Sequence, residues 1–218
     1  MRRSLHIFFL VIVLNSQNVV AAEKPSEDGV SGIWLGGALY GQTFTNTVNA
    51  TINGSSREIK SISANFLNFA LTAQYMQMPI EGIGTSFSGS IGSSLNHSSA
   101  HYSMILSLNV QANLTYAKLS TDKTPYYFFG GLGYEMLSGT DIRNLVEAGA
   151  PAVQAGVGLV LFKVYNLETF YQITKHNVSS GYTDQLRTYL IAQGASSVTF
   201  NESQSLSNIF GARLTYKY

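Results

Sequence analysis

The chain has 218 residues, a formal net charge of +1, 11% charged residues and no cysteine, against roughly 25% charged residues in an ordinary soluble domain. It is long enough for one domain, and its charge is too sparse for a nucleic-acid footprint or a basic membrane-surface patch. The missing cysteine excludes a disulfide scaffold, thiolate zinc sites and a cysteine nucleophile.

Residues 1–22 read as a cleavable signal peptide. Arg2 and Arg3 precede the apolar run Ile7 to Leu14, and Val20-Ala21-Ala22 supplies small residues before Glu23. That run is far shorter than the roughly 20 residues of a spanning helix. Residues 23–31 hold Pro25 and Gly29 without periodicity and are expected to be a disordered lead-in, with the folded domain at 32–218.

From Gly32 the chain alternates with a period of two, the rhythm of strands whose successive side chains take opposite faces. The first strand is expected over Gly32 to Phe44, then a polar loop from Asn46 to Arg57 with an Asn-Gly turn signal. The second runs from Ile59 to Gln77 and turns near Pro79. In the third, Ile83, Phe87, Ile91 and Leu95 alternate with Gly84, Ser86, Ser88, Ser90 and Gly92. A loop over Asn96 to His101 contains His97 and His101, which lack a neighbouring carboxylate and make a poor metal pair.

The fourth strand is the most regular. Tyr102, Met104, Leu106, Leu108, Val110, Ala112, Leu114 and Tyr116 share one face, and Ser103, Ser107, Asn109, Gln111, Asn113 and Thr115 the other, with Ile105 the one intruder. An apolar face bounded by tyrosines and longer than ten residues suits a strand crossing a bilayer between aromatic girdles. After a turn at Ser120 to Pro125, the fifth strand covers Tyr126 to Leu137. A loop from Ser138 to Gly149 leads to the sixth strand around Val153 to Leu161 and the seventh from Leu167 to His176. Asn177 to Asn201 is expected to be the longest connection, with Tyr189 to Gln193 extending a strand. The regular part of the last strand is expected from Phe210 onward.

Eight strands with long connections after the odd ones and short turns after the even ones give an all-β, eight-stranded antiparallel up-and-down transmembrane barrel. Its interior would match Trp34, Tyr40, Phe66, Tyr127, Phe129 and Phe170 against the glycines and serines of the opposite walls. Four ions fall on the inner parity, Glu135, Glu168, Arg213 and Lys217, and Glu168 is expected to pair with Lys217.

Four pieces carry a family likeness: Pro125-Tyr126 with Gly130-Gly131-Leu132-Gly133-Tyr134, Val153-Gln154-Ala155-Gly156-Val157-Gly158, Asn166-Leu167, and Gly211 to Tyr218. In these the chain resembles the eight-stranded barrels of the outer membrane protein A and opacity-type surface proteins. The resemblance implies an outer-membrane location among lipid and lipopolysaccharide, and a terminal strand (Phe210, Leu214, Tyr216, Tyr218) read by the barrel-assembly machinery. A peptidoglycan-binding domain of the kind some members carry is not expected after the barrel. No cofactor, nucleic acid or second subunit is expected. The external loops would carry a structural or surface-interaction role, with a possible host or extracellular ligand.

Three alternatives compete. A lipid-modifying enzyme would need a nucleophile and base on the outer face. The pair His176 and Ser179 superficially resembles the His-x-Ser motif of barrel lipid A deacylases, but residues three apart cannot share a strand face, and His176 falls on the inner parity, away from lipid. A narrow channel would need an open lumen, and a secreted sandwich would reverse the two faces. Of the Asn-x-Ser/Thr sequons at Asn49, Asn53, Asn96, Asn113, Asn177 and Asn201, the one at Asn113 lies inside a spanning strand and marks such matches as chance.

Overall fold

The computed structural model describes residues 30–80, 82–97, 105–118, 125–139, 142 and 145–218. The proposed signal peptide, and Tyr102, Met104 and His101, lie outside them. Eight strands close into one antiparallel barrel in chain order: β1 Gly32–Ile52, β2 Ser55–Ile80, β3 Ile83–His97, β4 Leu106–Lys118, β5 Tyr126–Ser138, β6 Gly149–Leu161, β7 Tyr165–Asn177 and β8 Val198–Lys217. Strand β8 pairs with β1 from Trp34↔Lys217 upward, which removes the sheet edges within the ring.

The polarity of the ring is inverted relative to a soluble protein. On β4, Leu108 is 38% exposed while Asn109 and Gln111 are 7% and 2% exposed. The same alternation holds on β7, where Tyr165, Leu167, Tyr171 and Ile173 face out and Asn166, Glu168, Phe170, Gln172, Thr174 and His176 face in. A solvent-facing wall of leucine, phenylalanine and tyrosine around a hydrogen-bonded polar interior is stable only in hydrocarbon, and closure satisfies every ladder group as hydrocarbon demands.

Small residues on one wall admit large ones from the next. A Cβ on Gly158 would stand 2.1 Å from Cζ of Tyr127, and one on Gly156 would stand 2.4 Å from Cζ of Phe129. Those rings therefore rest on the bare backbone of the neighbouring strand β6. Trp34, Tyr40, Phe66 and Phe170 are buried in the same way.

Several boundaries differ from the sequence reading. Asn46 to Arg57 is not a loop: β1 and β2 continue as a hairpin to a two-residue turn at Asn53-Gly54, both with positive φ (52° and 83°). The expected turn is present, but on longer strands. Threonines 43, 45, 47 and 51, opposite the buried Phe44, Val48 and Ala50, hold the extended backbone because β-branched side chains favour it even where the outer face is not greasy. A bulge between Phe44 and Thr45 marks where this hairpin leaves the ring. Strand β8 begins at Val198 rather than Phe210, pairing along the hairpin to Ile52↔Val198.

The expected strand extension at Tyr189 to Gln193 is instead the end of a helix, α1 (Ser180–Ala192). Ser179 caps it by accepting from the backbone N–H of Tyr182 at 3.2 Å. Of the lead-in, Val30 is fully buried rather than loose, because its carbonyl accepts from Nε1 of Trp34 at 3.1 Å inside the mouth of the barrel.

Candidate functional site

The lumen is layered. At the end carrying the β6–β7 turn and the C-terminal residue, Val30, Trp34, Met76, Ala117, Tyr127 and Val160 form an apolar seal. Above it lies an ion pair, Arg213 Nη1 to Glu168 Oε2 at 2.8 Å, both buried. The other oxygen of Glu168 accepts from Tyr127 Oη at 2.5 Å and Gln74 Nε2 at 2.9 Å, and Tyr127 Oη also lies 2.9 Å from Asn166. The guanidinium rests 5.2 Å from the ring centre of Phe170.

Glu168 thus takes Arg213 and not Lys217 as its partner. Register is the cause: Arg213 is directly opposite Glu168 on β8, and Lys217 lies four residues, roughly 13 Å of strand, further on. Lys217 sits over the ring of Trp34 at 5.4 Å.

Midway up, Gln111, Gln172, Asn109 and Thr174 are joined by hydrogen bonds of 3.0–3.1 Å. The remaining cavity, bordered by Tyr40, Gln154, Gln172 and Arg213, measures about 10 Å³, room for about one water. Gln154 Nε2, Gln111 Oε1 and Arg213 Nε beside it have no protein partner, so one water there would meet both donors and an acceptor.

A second charged layer follows. Glu135 Oε2 lies 3.0 Å from Nε2 of His176, and its Oε1 accepts from Gln42 Nε2 at 2.9 Å. Nδ1 of His176 faces the Glu147 carbonyl at 3.3 Å. Both neighbours of the ring are acceptors. The sequence reading put His176 on the inner face but left it unpaired. The missing information was again register, which brings Glu135 on β5 and His176 on β7, separated only by β6, to the same height.

At the loop end a second apolar seal joins Phe44, Phe66, Ile105, Leu137, Ile142, Leu145 and Val146. Ile105, the intruder in the fourth strand, points inward to join it. The β5–β6 connection is folded into the mouth by Ser179 N–H to Leu145 O at 3.0 Å, Glu147 N–H to Asn177 O at 2.9 Å and a bridge between Val146 and Val178.

Beyond this seal the loops on both sides of the β8 seam are locked together. Asn53 Oδ1, at the β1–β2 tip, accepts from Ser196 N–H at 2.8 Å, Ser196 Oγ at 2.9 Å and Ser197 N–H at 3.2 Å. Arg187 of α1 lies 5.4 Å from the ring centre of Phe200 on β8. The hairpin, the helix and the start of β8 make one ordered projection.

Of the terminal-strand residues singled out from sequence, Phe210, Leu214 and Tyr216 face outward, and Tyr218, 90% exposed, follows the strand's last residue. His176 and Ser179 do not meet as a base and nucleophile: one is sealed in the lumen and the other caps the helix. Among the described residues no group of three or more His, Cys, Asp or Glu side chains could hold a metal ion.

A closed antiparallel ring with an apolar outer wall and a packed polar lumen is an integral outer-membrane β-barrel. The β6–β7 turn, Val30 and the C-terminal residue lie at one end of the ring, and the hairpin and α1 at the other. No family model matches the sequence, and no curated protein matches it. Among solved structures the chain is similar to the outer membrane protein OprG from Pseudomonas aeruginosa, at 12% identity over 86% of this chain and 98% of that one, with a TM-score of 0.43. It is also similar to the outer membrane enzyme PagL (12%, 78% and 97%, TM-score 0.40) and to Neisserial surface protein A (12%, 83% and 99%, TM-score 0.40).

Proposed function

We propose that this barrel is a surface-interaction protein, with the lumen serving as a rigid plug and the external projection presenting the contact surface. The observation that carries the reading is the lock at Asn53, which joins two loops far apart in sequence into one preorganised body. Preorganisation lowers the entropic cost of binding, and rigid scaffolds commonly carry function on their loops. Tyr189 and Ile191 of α1 stand exposed on it. The packed lumen and its two seals weigh against a conducting role, and the positions of His176 and Ser179 weigh against an esterase. Lipopolysaccharide around the outer rim, and recognition of Phe210, Leu214, Tyr216 and Tyr218 by the assembly machinery, belong to the same proposal, as does a monomeric state.

The test is adherence of cells expressing the barrel to an epithelial monolayer. Replacing residues 181–192 with a Gly-Ser linker is expected to lower adherence at least fivefold with an unchanged amount of heat-modifiable, folded barrel. Asn53→Ala is expected to give a smaller loss, with faster surface proteolysis between 178 and 197. Unchanged adherence in both variants would remove the projection from the function.

A further inference from the structure

The outer wall of the barrel has an open groove of about 450 Å³ lined by Gly37, Leu39, Phe69, Leu71, Ala212 and Leu214; with the projection outside, as proposed above, it lies in the periplasmic half of the wall. Its origin is a gap in one row of opposed residues, Leu71 on β2, Gly37 on β1, Leu214 on β8 and Leu167 on β7. Three leucines project from this row and Gly37 does not. One row higher, Phe69 forms a wall and Ala212 continues the floor. A Cβ on Gly37 would come within 3.1 Å of the Phe69 ring, so this floor is already close to its walls.

The groove has a border on its periplasmic side. Tyr165 and Tyr216 pack edge to face with ring centres 5.6 Å apart, one row below Leu167 and Leu214. Paired tyrosines of this kind sit where hydrocarbon gives way to headgroups.

Past that border, the β6–β7 turn exposes Phe162 and Lys163. Both take positive φ, 54° and 61°. Bulky residues adopt this conformation only at a cost, and tight hairpin turns normally place Gly or Asn at such positions instead. The sequence therefore keeps a ring and an ammonium at headgroup level where turn formation alone would favour neither. Strain of this sort concentrates at functional positions.

We propose that groove and turn together seat one glycerophospholipid of the periplasmic leaflet. An acyl chain lies over Gly37 and Ala212, the glycerol passes the tyrosine pair, and the phosphate meets Lys163. Position decides the occupant. The groove opens into hydrocarbon, where acyl chains are the solvent, and a chain lying in it emerges at the nearer border, where lipid phosphates meet lysine. Along β7, Leu167 and Lys163 are four residues apart, about 13 Å of strand, well within the reach of one lipid.

Native mass spectrometry of the barrel in mild non-ionic detergent, titrated with phosphatidylglycerol, tests this. Wild type is expected to hold one lipid per barrel. Ala212→Phe, which fills the groove from a lipid-facing position, should lower that population at least tenfold, whereas Val153→Phe on another part of the outer wall should leave it unchanged. Lys163→Gln should weaken phosphatidylglycerol about fivefold without changing the retention of uncharged diacylglycerol. Equal lipid retention in wild type and Ala212→Phe would overturn the proposal. So would a species of twice the barrel mass that Ala212→Phe abolishes, since the occupant would then be a second copy of the chain. Heat-modifiable migration of each variant separates loss of the lipid seat from loss of the barrel.

Discussion

Arg213→Ala is expected to destabilise the barrel by about 3–5 kcal/mol, the usual cost of removing one partner of a buried ion pair. Glu168 would then keep its donors from Tyr127 and Gln74 but lose the only cation within salt-bridge distance among the described residues. The cavity beside Arg213 has room for about one water, too little solvent to replace the guanidinium. The loss includes the contact with Phe170, so the cleaner measurement is a double-mutant cycle with Arg213→Met and Glu168→Gln. Each single change should be strongly destabilising and the pair much less so, because two neutral side chains leave no bare charge. Urea unfolding of the barrel reconstituted in lipid vesicles measures all four states. Additive losses would mean that the two residues act independently and that the lumen is wetter than its packing indicates.

The second large effect concerns the outer wall. Leu132, 70% exposed, lies near the middle of β5 between Tyr126 and Met136. Leu132→Arg is expected to cost about 2–4 kcal/mol in the same vesicle assay, and Met136→Arg nearer the rim about 0–1, because a charge on a lipid-facing strand is most costly at the midplane. On a soluble protein both positions would be exposed surface and neither change would exceed about 0.5 kcal/mol. The gradient with depth, more than either value, is the signature of a bilayer.

How far the fold could be read from sequence depended on contrast between the two faces of each strand. Where leucine alternated with asparagine or glutamine, as on β4, the reading reached individual side chains, including the inward aberration at Ile105. Where the chain rises out of the membrane the contrast weakens. From Thr43 to Thr51 one face still carries Phe44, Val48 and Ala50, but Asn46 interrupts it and threonine and asparagine fill the other, so the stretch reads as a polar loop although the alternation persists.

The helix α1 was missed for the opposite reason. Its apolar residues Tyr182, Leu186, Tyr189 and Leu190 have helical spacing, but α1 buries no residue fully and so has only a weak stripe. Ser179 followed by that spacing was the available signal.

The lumen ions illustrate a different limit. Parity placed Glu135, Glu168, Arg213 and His176 inside, but which of them touch depends on the stagger between strands. Stagger is a property of the closed ring that no single strand encodes. Lys217 was a reasonable partner for Glu168 by height alone; a direct opposition on β7 and β8 favoured Arg213.

Single-cysteine labelling along β4 addresses the inverted ring most directly, and the chain has no native cysteine to interfere. Nitroxides at 106, 108, 110, 112 and 114 in reconstituted barrels should collide freely with membrane-dissolved oxygen and hardly at all with a water-soluble nickel chelate. Labels at 107, 109, 111, 113 and 115 should be immobilised and shielded from both. Nickel accessibility at Asn109 and Gln111, together with immobilised labels at Leu106 and Leu108, would contradict a greasy wall around a packed polar interior.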